Sequence, residues 1–182
     1  MRAIKTSTAA VMLCLLAVAT RHSALAQEAP VPPVPPVLGV FVNDGQSNDV
    51  IYKAIETAVA KMNFIKRPIA RGRLKKTNPL YQRIEISHDA NQIAVRFDAR
   101  TPVLMPADGT SAKWTRDDGE RFDVTGKLQT ETLVQTFTAE DGQRVNTFSV
   151  GADGKLTLQV TLTSLQLPAP VSYQLAYRRE SR

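Results

Sequence analysis

Cysteine is nearly missing from this chain: Cys14 is the single one, and it lies within the first 26 residues. Histidine is almost as scarce, at two residues, His22 and His88. A zinc site needs several nitrogen or sulfur ligands converging on one point, which His88 alone does not supply. No G-x-S-x-G elbow and no phosphate-binding glycine loop occurs, and the aspartates do not follow the calcium-loop spacing. His88-Asp89 are sequence neighbours in a turn and do not face each other as a base and its orienter would. No pair of carboxylates is singled out for glycoside chemistry, since the fold sets that spacing. These absences argue for a protein without metal, cofactor or catalytic site.

Long apolar runs are missing too. Ala9 to Ala19 is too short for a comfortable helical span, which needs about 20 apolar residues. Arg2 and Lys5 precede it and Ala24-Leu25-Ala26 follows it. This pattern predicts a Sec-type signal peptide over residues 1–26, cleaved before Gln27, and export to the periplasm or the medium. Val11-Met12-Leu13 lacks the small residues expected before a lipidated cysteine. The remaining chain would have no cysteine, hence no disulfide and no thiolate chemistry, and no transmembrane segment. Cleavage also removes Arg2, Lys5 and Arg21 with no acid, so 20 basic residues face 17 acidic ones. That balance does not point to nucleic acid as a partner.

What is present reads as one small domain behind a linker. Residues 27–37, QEAPVPPVPPV, carry five prolines and predict an extended spacer. Leu38 to Val42 is a short apolar segment, and Asn43-Asp44-Gly45 a turn. Ser47, Asn48 and Asp49 offer capping oxygens to a helix. Val50, Ile51, Ala54, Ile55, Ala58, Val59, Met62 and Ile65 recur at helical spacing, predicting one amphipathic helix over 50–65 that Pro68 ends. Lys66 to Lys76, KRPIARGRLKK, then holds six basic residues in eleven: Lys66, Arg67, Arg71, Arg73, Lys75 and Lys76. Two readings stay open for it: an anionic-surface contact in the cell envelope, or cations near a helix end leading into a solvated loop.

From Arg83 onward apolar and polar residues alternate, as on strands with one buried face. Leu156, Leu158, Val160 and Leu162 share one side, and so do Val171, Tyr173, Leu175 and Tyr177. Asp108-Gly109, Asp118-Gly119, Asp141-Gly142 and Asp153-Gly154 mark hairpin turns. Val103 to Met105, set between Pro102 and Pro106, predicts an edge strand. The expected fold is mainly β (α+β). It is an antiparallel up-and-down meander of eight or nine strands over residues 38–182, closed or nearly closed into a barrel, with one N-terminal helix.

This arrangement resembles the lipocalin and fatty-acid-binding group of barrels (calycins), and more narrowly the uncharacterised secreted bacterial proteins with a lipocalin-like domain. The stretches that carry the likeness are Trp114 to Glu120, Leu133 to Phe137, Glu140-Asp141-Gly142, Asp153 to Leu156, Leu167 to Pro170 and Tyr177-Arg178-Arg179. Lipocalins open on Gly-x-Trp beneath a late arginine. Here Gly39-Val40-Phe41 keeps the spacing with phenylalanine, and Arg178 or Arg179 is the candidate arginine. The helix before the barrel is a departure. The resemblance implies a cavity for a small apolar or amphipathic ligand. Trp114, Phe148, Tyr173 and Tyr177 are its candidate lining, with Arg96 or Arg178 orienting an acidic head; the other reading is that these aromatics are plain core. The function expected is non-enzymatic ligand binding, with the envelope contact through residues 66–76 as the alternative.

Overall fold

The structure is a computed structural model and describes residues 34–181. The expected signal peptide and most of the expected spacer lie outside that range. The spacer's described end is not all linker: Val37 is fully buried in the core.

Ten strands form one antiparallel sheet. They are β1 (Gly39–Asn43), β2 (Arg83–His88), β3 (Gln92–Phe97), β4 (Val103–Pro106), β5 (Ala112–Thr115), β6 (Arg121–Leu128), β7 (Thr132–Thr138), β8 (Gly142–Val150), β9 (Leu156–Ser164) and β10 (Val171–Arg179). Each strand pairs with its sequence neighbour, except that no ladder joins β4 to β5 and that β1 pairs with β10. The sheet therefore curls into a barrel with one unladdered seam, between β4 and β5. The count is ten where the sequence pattern predicts eight or nine. β1 is five residues long, and in the sequence Leu38 to Val42 reads only as a short apolar segment with no alternation to mark it as a strand.

The core is built by alternation. β10 buries Val171, Tyr173, Leu175 and Tyr177 and exposes Ser172, Gln174 and Arg178 between them. β9 buries Leu156, Leu158 and Val160 in register with it. Fully burying one such side chain contributes about 1.5–3 kcal/mol, so these two strands alone anchor the fold. Arg179 is the late arginine: it lies over the Phe41 ring, 4.6 Å from its centroid. It also donates to the Leu38 carbonyl at 3.0 Å and to the Pro36 carbonyl. Gly39, at φ +132°, leaves the space that its guanidinium fills.

Two helices connect β1 to β2, α1 (Asp49–Val59) and α2 (Lys66–Thr77), where the sequence predicts one helix and a basic segment. α1 buries Ile51, Ile55, Ala58 and Val59 and packs on β10 and α2. It stops six residues short of the predicted end. Arg67 reaches back to the Ala60 and Met62 carbonyls at 2.6 and 2.8 Å, and Asn63 accepts the Ile65 N–H at 2.9 Å. These contacts satisfy the orphan groups on both sides of a corner. Pro68 falls in the first turn of α2, where no intrahelical N–H is needed, so it starts a helix instead of ending one. Asn48 makes no side-chain cap; its Oδ1 accepts from Leu80 N at 3.3 Å instead.

Three of the four expected Asp-Gly turns place glycine at positive φ. Gly142 does not: it opens β8, and a Cβ there would come within 2.7 Å of the Thr163 carbonyl oxygen. Its small size serves a close strand approach, not a turn.

Candidate ligand cavity

One end of the barrel is not filled. A cavity of about 920 Å³ lies under α2 and is bounded by the β3–β4 turn, the β5–β6 hairpin and the β9–β10 turn. Such a volume falls in the range that holds a small-molecule ligand. The reason for the space is side-chain size and placement. α1 sends four apolar residues into the core, whereas α2 buries only Leu74.

The apolar wall is aromatic. Tyr81, Phe97, Trp114, Phe122 and Phe137 all line the cavity. Trp114 stands 5.2 Å from Phe137 and 5.7 Å from Phe122, ring centre to ring centre, and Tyr81 stands 4.5 Å from Phe97. These offset and edge contacts are the preferred aromatic geometries.

The polar wall is a network around Arg144, which lines the cavity from β8. Its Nε donates to Asn146 Oδ1 at 2.9 Å and its Nη1 to Asn78 Oδ1 at 2.9 Å, with Tyr173 Oη at 3.5 Å from Nη2. Tyr173 Oη donates to Asn78 Oδ1 at 3.3 Å, and Asn146 Nδ2 donates to Gln135 Oε1 at 2.9 Å. The three amide oxygens are thus all engaged. What remains unspent is donors: the Nε2 of fully buried Gln135 has no partner, and Arg144 has no carboxylate within ion-pair distance among the described residues. Burial pushes the Tyr173 hydroxyl pKa up, with Arg144 pulling against it, so that group stays protonated and neutral. Arg144 is a half-buried cation on the cavity wall, which an anionic acceptor in the cavity would pair; Gln135 is not among the residues lining that cavity.

Charges ring the mouth. Arg73 of α2 lies 3.6 Å from Glu120 of the β5–β6 turn, and Arg100 of the β3–β4 turn 3.0 Å from Asp117. Within the hairpin, Arg116 holds Asp118 at 2.8 Å and also bonds Glu120. The Arg116 hydrogen bond brings the Asp118 carboxyl down to about 2.

Of the residues singled out from sequence, Trp114 lines the cavity. Phe148 and Tyr177 are fully buried core, with the Tyr177 hydroxyl donating to the Tyr81 carbonyl at 3.2 Å. Tyr173 is buried core that does not line the cavity; its hydroxyl bonds Asn78 and lies 3.5 Å from Arg144, which does. Arg96 and Arg178 stand on the exposed outer face, because Val95, Phe97 and Tyr177 take the inward positions beside them. The inward arginine is Arg144, and the sequence held a signal for it. On β7 and β8 the core-facing positions run Leu133, Gln135, Phe137 and Arg144, Asn146, Phe148, so polar residues interrupt an apolar face at cross-strand neighbours Gln135 and Asn146.

The six basic residues form α2 itself, not a loop. Arg71 pairs with Glu56 at 2.7 Å, Lys75 lies 3.6 Å from Glu56 and 4.4 Å from the Tyr52 ring centre, and Arg67 caps α1. Arg73 reaches Glu120, while Lys66 and Lys76 are exposed without an ion pair among the described residues. Beside Lys66 three large apolar side chains are exposed: Phe64 at 78%, Ile65 at 62% and Ile69 at 71%. Among the described residues no helix is long and apolar enough to cross a membrane, and no three potential metal-ligating side chains cluster.

No protein-family model matches the sequence, and no characterised relative was found by sequence. Solved structures do match. The REP1-NXSQ fatty acid transporter is 17% identical, with a TM-score of 0.52 over 82% of this chain and 99% of its own. A secretory abundant heat soluble protein from Ramazzottius varieornatus is 8% identical, with a TM-score of 0.55 over 81% and 98%. Fatty-acid-binding protein 1 from Echinococcus granulosus is 11% identical, with a TM-score of 0.51 over 81% and 100%. At these identities the likeness is one of fold, and the fold of this chain is a ten-stranded, calycin-like barrel carrying two helices.

Proposed function

We propose that this protein is a non-enzymatic binder of a small amphipathic molecule, whose apolar body lies against the aromatic wall and whose acidic head meets Arg144. The observation that carries this reading is Arg144, a cavity-lining cation without an ion-pair partner among the described residues, facing a cavity that also carries a cluster of aromatic side chains. Two of the structural neighbours are named for fatty acids, which supports the same class of ligand without identifying it. The test is a titration followed by Trp114 fluorescence, with a long-chain carboxylic acid and the alcohol of the same chain length. Arg144→Met is expected to weaken the acid by tenfold or more, about one charge-assisted hydrogen bond, and to leave the alcohol unchanged. Equal losses for both ligands, or no response from Trp114 to either, reject the reading.

A second reading is favoured by one observation: exposed Phe64 and Ile65, in the turn that leads into α2, and exposed Ile69, on α2, lie near Lys66, which has no ion pair among the described residues. Apolar side chains flanked by cations suit an anionic lipid surface, where the cations add attraction and the apolar groups insert. Salt-sensitive binding to vesicles containing an anionic phospholipid, weakened in Lys66→Gln/Ile69→Gln, is the expected result; unchanged binding in that variant rejects it. The leader-like first 26 residues support export through the Sec pathway, which N-terminal sequencing of the exported protein would check.

A further inference from the structure

Eight charged side chains line the cavity, and most of them answer one another. Arg73 and Arg116 both meet Glu120, and Arg100 meets Asp117. Three are left without an ion pair among the described residues: Lys66, Arg144 and Asp141. Lys66 is exposed in the first turn of α2, where water screens its charge. Arg144 is the cation that an acidic head would pair. Asp141 is then the one carboxylate on the cavity wall that no cation of the described chain neutralises, and the acid-binding reading gives it no part.

Asp141 is held in place. It ends the β7–β8 turn, immediately before Gly142 opens β8. Gln166 of the β9–β10 turn donates its Nε2 to Asp141 Oδ2 at 2.8 Å, and the Asp141 carbonyl accepts the Leu165 N–H at 3.0 Å. Two turns therefore fix this half-buried carboxylate at the rim. A neutral amide fills one lone pair and leaves the negative charge uncompensated. Asp141 and Arg144 do not compensate each other. Three residues of extended chain, roughly 10 Å, separate them. The Arg144 side chain also leans the other way, because its Nε donates to Asn146 Oδ1 at 2.9 Å, farther along β8. One wall of the cavity thus carries a fixed negative point at the rim and a positive one further in.

We propose that Asp141 is a second anchor point, for a protonated amine, and that the ligand class is an amphiphile with an acid at one end and an ammonium group at the other. The inference rests on the cavity being an acid-binding site and deepens that reading by naming the ligand's second charge. The acid pairs with Arg144. The ammonium donates to Asp141 Oδ1 while Gln166 keeps Oδ2. The apolar chain between them lies against the aromatic side chains. A plain carboxylic acid satisfies Arg144 alone and gains nothing from Asp141.

The experiment compares octanoic, decanoic and dodecanoic acids with their ω-amino derivatives and with the ω-acetamido forms, in which the same nitrogen is neutral. Each Kd is measured by isothermal titration calorimetry on the whole protein. In the wild type, the ω-amino acid of fitting length is expected to bind about three- to tenfold more tightly than its ω-acetamido form. In Asp141→Asn, whose side-chain oxygen still accepts from Gln166, that preference is expected to disappear while the plain acids keep their Kd within about twofold. Equal binding of the amino and acetamido forms by the wild type overturns the amine anchor, whether or not the variant folds, and leaves the acid reading standing. Equal losses for plain and amino acids in Asp141→Asn also overturn it, because Asp141 would then serve the turns and not the ligand. Absence of binding by every plain acid removes the acid reading itself, and the second anchor with it.

Discussion

α1 and α2 are eleven and twelve residues long, lie one after the other and pack on each other, yet they do opposite things. α1 buries four apolar side chains and serves as a piece of the core. α2 buries one, Leu74, and holds its place through polar ties: Arg71 and Lys75 to Glu56, Asn78 to Arg144 and Tyr173, and Arg73 to Glu120. The first helix excludes space from the barrel and the second roofs the space that is left. A cavity exists here because the chain spends its apolar stripe on one helix of the pair and its charge on the other.

The contrast can be broken from either side. Ile55→Ala is the severe test of α1: with the side chain fully buried, a loss of about 2–5 kcal/mol is expected in urea unfolding, transfer and cavity effects together. A loss below about 1 kcal/mol would mean that α1 is no more core than its neighbour. Asn78→Ala tests the polar ties of α2. Asn78 is 1% exposed, donates to the Leu74 carbonyl at 2.9 Å and accepts from Arg144. Removing it should cost about 1–3 kcal/mol and speed amide exchange in the last turn of α2 while leaving α1 protected. Equal acceleration in both helices would show that they move as one. At the small end, Ile69→Gln should leave stability within about 0.5 kcal/mol, since that side chain is 71% exposed. A larger loss would place Ile69 in the core and weaken the case for a surface role.

The sequence was most readable where one face is purely apolar. β9 and β10 follow their alternation, with Leu162 half-buried at the end, and α1 buries its stripe from Ile51 to Val59, leaving the expected first member, Val50, exposed. α2 was not readable in the same way. Six cations leave no apolar stripe to find, and Pro68, a helix breaker in most positions, is harmless in the first turn where α2 puts it. Of the site, Trp114 was legible as a large aromatic on an alternating strand. Arg144 gives no such signal on its own, because an arginine within a single strand fits an outward, solvated position. Its inward placement follows only when β8 is lined up with β7, where Asn146 faces Gln135 and Phe148 faces Leu133. Register is a long-range property, and a single strand does not state it.

The pairing of Phe41 with Arg179 has a consequence in time as well as in space. β1 lies between β2 and β10, so the first strand keeps a bare edge until the last one is made. Sheet closure joins residues 138 apart in the chain, among the most distant contacts this molecule contains. Folding dominated by such contacts is slow, because the loop must close before the contact rewards it. A chain still emerging, or truncated before Val171, would carry the hairpins β2 to β9 without a finished barrel around them, and the mature form would arise as a late, single event of closure.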